Sequence, residues 1–354
     1  MMTKLITRDN LKKLISKVLT SFQVIAPVNE NDVSFFKRIS VYEEIKWEDN
    51  NPIKSPKEFF FAPSDDLFRY QMKSKNILLR EPSNHHDQRI ILGIRPCDMA
   101  ALNTLDRVFL EDGKDLLYSA LRDNTLLIGQ SCRTPGKHCF CSSVGINPDD
   151  SQNMDLMLTD IEKNLFLVKV VSEKGEKFFS HFSTFFQDPD ATTAHTPVQT
   201  KEMADYLKKG ALFNVQNINE WLNENFEHPL WAEISTKCIG CGVCTFFCPT
   251  CHCFDINDEE VVYRNSSYQG VRRRIWDSCS FDHFTKMPMH QPRPTQDRRF
   301  RQRIMHKFKY FIDRFQQGAC VGCGRCRSLC PVGIDIIEVL ETIHCLSYHS
   351  HGVK

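Results

Sequence analysis

The sequence predicts an α+β chain: an N-terminal α/β domain over residues 1–226, then a largely helical, cysteine-rich domain over residues 227–354. Three observations carry that prediction. In the first half, apolar runs of strand length alternate with stretches of helical periodicity. In the second half one cysteine string is written twice, as Cys238-Ile-Gly-Cys241-Gly-Val-Cys244-Thr-Phe-Phe-Cys248-Pro249 and as Cys320-Val-Gly-Cys323-Gly-Arg-Cys326-Arg-Ser-Leu-Cys330-Pro331. The 16 cysteines are also unevenly spread: none precedes Cys97, four lie from Cys97 to Cys141, and the rest run from Cys238 to Cys345. At 354 residues the chain exceeds a typical domain of roughly 100 to 150 residues, so two domains are expected.

Leu11, Leu14, Ile15, Val18 and Leu19 repeat at helical spacing behind the cap candidates Thr7 and Asp9, which predicts an opening helix. Phe22–Ala26 reads as a strand ended by Pro27, and Glu58–Ala62, between Pro56 and Pro63, as another. Arg89–Ile94 and Thr125–Gly129 are short apolar runs of the buried-strand kind, with helical periodicity over Met99–Leu110 between them. That is a βαβ unit in outline. Asp155–Thr159 and Leu165–Val171 flank a polar tip and predict a hairpin. Residues 188–200 carry two prolines and read as a loop, and Lys201–Asn225 reads as helix leading to the boundary at His228-Pro229-Leu230-Trp231. The long stretch between the two cysteine strings predicts an inserted basic helical arm over about 254–316, with Phe300, Ile304, Phe308, Phe311 and Phe315 on one stripe.

Three cysteines at two-residue intervals on a turning backbone place three thiolates on three corners of one [4Fe-4S] cube. In the two-cluster pattern CxxCxxCxxxCP the fourth cysteine of each run serves the other run's cluster. The expected ligand sets are therefore Cys238, Cys241, Cys244 and Cys330 for one cluster, and Cys320, Cys323, Cys326 and Cys248 for the other. Structural zinc also takes four thiolates, but its CxxC pairs call for no third and fourth cysteine at these offsets followed by proline. Pro249 and Pro331 fix the backbone just past the last ligand.

Several strings, in this order, carry a family resemblance: Gly93-Ile-Arg-Pro-Cys97-Asp98, Cys139-Phe-Cys141, Trp231, Cys248-Pro-Thr-Cys251-His-Cys253, Arg274-Ile-Trp-Asp-Ser-Cys279 and Cys320-Val-Gly-Cys323-Gly-Arg-Cys326. From about Phe22 to Pro331 the chain resembles the iron-sulfur beta subunit of cytoplasmic NiFe sulfhydrogenases and its relative, the electron-transfer subunit of anaerobic sulfite reductase. The resemblance implies an α-helical ferredoxin-like C-terminal domain with two [4Fe-4S] clusters. It also implies a cytoplasmic electron-transfer protein that links the small and large subunits of a NiFe hydrogenase to a partner binding FAD and NAD(P). The alternative terminal partner is a sirohaem sulfite reductase subunit. One departure stands out: where the family commonly has GGHNxR, this chain reads Met287-Pro-Met-His-Gln-Pro-Arg-Pro294, which alters that loop's contacts and leaves the cluster ligands untouched.

Similarly placed cysteines recur in the family at Cys97, Cys132, Cys139 and Cys141, which makes these four thiols candidates for a third Fe-S cluster; buried small hydrophobes is the bland reading. Cys251, Cys253 and Cys279 are unplaced ligand candidates, three thiols without a fourth, and Cys345 has no motif. The basic residues Arg272, Arg273, Arg274, Arg298, Arg299, Arg301, Arg303, Lys307 and Lys309 would stabilise a reduced cluster or steer an acidic partner.

A net charge of +1 and the lack of a groove-reading module speak against nucleic acid. No apolar run approaches the roughly 18 residues of a membrane span. No HExxH, GxSxG, P-loop or GxGxxG string is present, so no catalytic residue is assigned and independent catalysis is not expected. His85, His86 and His138 read as loop polar residues. A reading of another class, an Fe-S regulatory or binding module, would suit one labile cluster better than a pair that exchanges ligands.

Overall fold

The computed structural model describes residues 2–47, 51–73, 76–81, 87–111, 113–162, 164–189, 200–264 and 267–351. His85, His86 and most of the loop at 188–200 lie outside the described residues.

Strand β1 (Met2–Thr7) leads into α1 (Arg8–Val18), whose first turn is capped by the Thr7 hydroxyl accepting from the Asn10 N–H. Leu11, Leu14, Ile15 and Val18 of α1 are buried, as their spacing predicts. β2 (Gln23–Glu30) and β3 (Val33–Arg38) form a hairpin. The expected stop at Pro27 does not occur. Parallel pairing of β2 with its neighbour at Arg89–Ile91 ends at Ile25, so the missing Pro27 N–H removes no bond from that ladder. The strand expected at Glu58–Ala62 is instead a 3₁₀ turn, Pro56–Phe59, with Ser55 accepting from the Lys57 N–H and proline at the first position.

β4 (Ser64–Lys73) and β5 (Asn76–Arg80) are followed by β6 (Arg89–Ile94), α2 (Pro96–Leu110), α3 (Leu116–Asp123) and β7 (Thr125–Gln130). β6 and β7 pair in parallel across α2, the expected βαβ unit. β8 (Leu156–Glu162) and β9 (Leu165–Val170) make the expected hairpin. The seven-stranded sheet runs β1-β9-β8-β7-β6-β2-β3, parallel through its centre and antiparallel at both margins. Its two faces bury separate cores, Leu14, Ile15, Ile90 and Val168 on one and Ile91, Leu102, Leu105 and Phe109 on the other.

After α4 (Glu173–His181), the helical stretch at 201–225 divides into α5 (Lys201–Lys208) and α6 (Val215–Glu224), with Gly210 at φ +69° between them. α6, α7 (Leu230–Ser235), the long helix beginning at Gln296 and the last helix share the C-terminal core around Trp221, Trp231, Ile304, Phe308 and Leu340. α8 (Val243–Phe246) is a single turn inside the first cysteine string.

The arm at 254–316 departs from expectation. Its first part is a hairpin, β10 (Phe254–Arg264) and β11 (Ser267–Trp276), completing a four-stranded sheet β10-β11-β4-β5. Arg272 pairs with Asp258 at 2.6 Å, Arg273 with Asp66 at 2.7 Å and Glu259 at 2.5 Å, and Arg274 with Asp65 at 2.7 Å and with Asp115. Consecutive arginines on a strand face opposite sides, and each finds an acid there.

Helix resumes at α9 (Gln296–Met305), a π turn at His306–Tyr310 and α10 (Phe311–Phe315). Phe300, Ile304, Phe308 and Phe311 of the predicted stripe are buried. α11 (Arg325–Ser328) sits inside the second cysteine string and α12 (Ile336–His351) closes the fold. Among the described residues no helix is long and apolar enough to cross a membrane.

Candidate metal centres

The two cysteine strings fold alike. Each passes through a glycine in the left-handed region, Gly242 at φ +75° and Gly324 at φ +75°, directly into its one-turn helix. In the second string the glycines also allow close approach: a Cβ on Gly322 would lie 2.5 Å from the Cys141 backbone, and one on Gly324 2.4 Å from the His138 carbonyl oxygen. The Phe140 N–H donates to the Gly322 carbonyl at 2.8 Å. The Cys139–Cys141 loop of the N-terminal sheet therefore rests directly on the second string.

Cavities open at each string. One is lined by Cys238, Cys241, Cys244 and Cys330 together with Cys326. A second is lined by Cys248, Cys320, Cys323 and Cys326. In both, the fourth cysteine of one string faces the cavity of the other. A third is lined by Cys97, Cys132, Cys139 and Cys141 together with Cys323. Among the described residues no three His, Cys, Asp or Glu side chains converge on a single ion, whereas four thiols spaced around a cavity are the soft-donor arrangement an iron-sulfur cube takes.

A 4Fe-4S dicluster domain matches residues 237–334. Over 322 residues, 91% of this chain and 92% of the relative, the sequence is 30% identical to sulfhydrogenase 2 subunit beta of Pyrococcus furiosus. The chain belongs to the sulfhydrogenase beta-subunit family. It is an iron-sulfur, electron-transfer protein, with mixed helices and sheets ahead of a 4Fe-4S dicluster domain.

In this family member the cysteines are set in a specific electrostatic frame. Lys307, buried in the π turn, donates from Nζ to Cys248 Sγ at 3.2 Å, to Thr250 Oγ1 at 2.8 Å and to the Ala319 carbonyl at 2.9 Å. Burial pulls its pKa down, but the thiolate charge of Cys248 outweighs burial and holds the ammonium. Arg303, also buried, donates to the Cys244 carbonyl at 3.0 Å between the first two cavities. Among the described residues no carboxylate pairs with Lys307 or Arg303. Arg325 differs: it makes a bidentate pair with Asp98 at 2.6 and 2.9 Å, with side chains 3% and 0% exposed, tying α2 to the second string as a neutral unit. Gln296 Nε2 donates to Cys238 Sγ at 3.1 Å and the Ile334 N–H to Cys330 Sγ at 3.2 Å. At the third cavity Asn51 Nδ2 lies 3.7 Å from both Cys97 Sγ and Cys139 Sγ, and the Tyr206 hydroxyl 3.6 Å from Cys141 Sγ.

Burial pushes the thiols of Cys320, Cys323 and Cys326 up to about 11 and that of Cys139 up to about 12. Metal loading at such sites must displace protons. Cys248 goes the other way, held low first by the hydrogen bond from the Cys251 thiol and then, against burial, by Lys307 and Arg303.

Cys251, Cys253 and Cys279 line none of these cavities. Cys251 is spent on Cys248, and Cys253 and Cys279 hydrogen-bond each other, which lowers Cys253 to about 7. Buried Lys57 backs this group, donating to the Cys248 carbonyl at 3.1 Å and the Cys251 carbonyl at 3.0 Å while lying 3.9 Å from the Trp276 ring centre. Cys345 is exposed on α12. Of the basic residues, Arg272, Arg273 and Arg274 are consumed by the hairpin's acids, and Lys307 and Arg303 turn inward. Asn51, Lys57, Asp98, Tyr206 and Gln296 carry no sequence signal for their roles; Asp98, adjacent to Cys97, is the one the recognisable strings contain.

Proposed function

We propose that this chain conducts electrons through three iron-sulfur centres in series, between a partner that binds FAD and NAD(P) and a NiFe hydrogenase module. The observation that carries the reading is the continuity of the cavities. Cys326, Arg303 and Ile336 line both the first and the second, and Gly322 and Cys323 line both the second and the third. Centres whose walls share residues suit conduction. A regulatory module would need one exposed, labile site.

Cys238, Cys241, Cys244 and Cys330 would hold one [4Fe-4S] cluster, Cys320, Cys323, Cys326 and Cys248 another, and Cys97, Cys132, Cys139 and Cys141 the third. Each cluster supplies a one-electron couple when bound. The chain's residues hold the cubes at fixed spacing, shield them from water and donate hydrogen bonds to ligand sulfurs from Gln296, Ile334 and Lys307. Hydride and hydrogen chemistry is assigned to the partner subunits, in keeping with the relative's name as one subunit of a sulfhydrogenase.

Anaerobic purification, with iron quantified and the co-purifying proteins identified, tests this. Iron equivalent to three cubes, falling to two in a Cys97→Ser/Cys132→Ser variant, is expected, together with a nickel-containing large subunit. Unchanged iron in the variant removes the third cluster, and co-purification of a sirohaem protein replaces the hydrogenase as terminal partner.

A further inference from the structure

Electrons that travel along three buried centres must leave the chain somewhere, and the exposure of the cavity-lining cysteines singles out a place. Among the described residues Cys241 is the one cysteine of those three cavities that is exposed. Exposed apolar side chains lie near it. Ile239, two positions earlier, is 65% exposed. The Phe281 ring lies against Gly242, and the loop that continues from Phe281 carries Met287 and Met289, 53% and 97% exposed. That loop is pinned by Arg299, which donates to Asp282 Oδ1 at 2.9 Å and to the Pro294 carbonyl at 2.9 Å. Cys241 also borders a recess of about 370 Å³ whose walls combine Val243, Phe246, Phe247 and Trp276 with the polar Lys57 and Glu58.

Exposed cations flank this centre. Lys237 precedes Cys238, Lys286 sits on the pinned loop, and Arg298 lies in the first turn of α9 next to Asp297. Of the nearby carboxylates, Asp282 is engaged by Arg299, Glu58 by Lys54, Asp297 adjoins Arg298 and Asp277 lies 3.6 Å from His283, whereas among the described residues neither Lys237 nor Lys286 pairs with a carboxylate. An apolar centre with a charged rim is the anatomy of a protein interface. Cations left without an acid, as Lys237 and Lys286 are, speed encounter with a surface of opposite sign.

We propose that the Cys241 face is the docking site of a redox protein whose own centre lies beneath an acidic surface, and that electrons enter or leave the chain there. The proposal rests on the conduction reading above and adds the place and the charge of the partner. The step is a single electron transfer: the donor's centre is oxidised by one electron, the cluster held by Cys241 is reduced by one, and no bond is made or broken.

The test is anaerobic stopped-flow bleaching of the loaded protein by two donors, a reduced small acidic [2Fe-2S] ferredoxin and photoreduced deazaflavin, which needs no protein interface. For the ferredoxin, a second-order rate that falls with salt is expected. A Lys237→Glu/Lys286→Glu variant should slow it about tenfold and flatten its salt dependence. Ile239→Asn, which adds no charge, should slow it while keeping the salt dependence, and Lys174→Glu/Lys177→Glu on α4 should leave it unchanged. Deazaflavin reduction should be the same in all variants, which also shows that they are folded and loaded. A ferredoxin rate indifferent to the Lys237/Lys286 reversal, with deazaflavin reduction intact, overturns the docking face and leaves conduction standing. Failure of both donors to bleach the wild-type clusters overturns conduction and the docking face together.

Discussion

Replacing Lys307 by methionine removes a buried positive charge that donates to Cys248 Sγ at 3.2 Å while roughly keeping side-chain length. An electron added to the cube spreads over its irons and sulfurs, so an effective charge separation of about 5 Å is reasonable. At an effective dielectric constant of about 20 the lost attraction is about 3 kcal/mol. For a one-electron couple about 1.4 kcal/mol corresponds to about 59 mV, so the cluster held in part by Cys248 should become harder to reduce by roughly 130 mV. Lys307→Gln keeps an N–H donor without the charge and should shift the potential in the same direction by less. The assay is an EPR-monitored redox titration of the loaded protein, with the clusters proposed at Cys241 and Cys97 as internal references. An unchanged or raised potential for the Cys248 cluster, with its EPR signal intact, would refute the electrostatic reasoning.

Asp98→Asn leaves Arg325 charged and buried; the cost should be about 3–5 kcal/mol, seen as a lowered denaturant midpoint and earlier loss of the charge-transfer absorbance of the clusters. Gly322→Ala forces a Cβ onto the Cys141 backbone at a positive φ, so iron at the second and third centres should fall while the signal of the Cys241 cluster survives, as iron analysis with EPR would show. Cys279→Ser should leave iron content unchanged, since Cys279 lines none of the three cysteine cavities; loss of a cube's iron would make it a ligand. Arg274→Ala strands Asp65 and Asp115 beside each other in a half-buried setting, and hydrogen exchange should rise across β4 and β11 before it rises in the seven-stranded sheet.

The features legible in the sequence were those written locally. The Thr7 cap, the apolar spacing of α1, the β6–α2–β7 unit and the doubled cysteine string each occupy one short window, and each appears where expected. The β10–β11 hairpin was not legible as strand. Its stability comes from β4, about two hundred residues earlier, and from acids at Asp65, Asp66 and Asp115, so Arg272-Arg273-Arg274 read as an exposed basic run. Glu58–Ala62 misled for a local reason, since Ser55 and Pro56 start a turn that propensity for strand in Phe59-Phe60-Phe61 hides. For the first two cavities, the string itself picks out the cysteines that line them. The cation at Cys248 sits on a π turn whose register no periodicity argument specifies, and the neutral Arg325–Asp98 pair joins residues more than two hundred positions apart.

The four-stranded sheet takes β4 and β5 from one half of the chain and β11 and β10 from the other. A gene fragment encoding the cysteine-rich half alone would thus be born with an open sheet edge, a buried Arg325 without its acid and glycine loops resting on nothing. The protein should resist being pared down to a minimal ferredoxin. Swapping modules between relatives would have to exchange both halves at once.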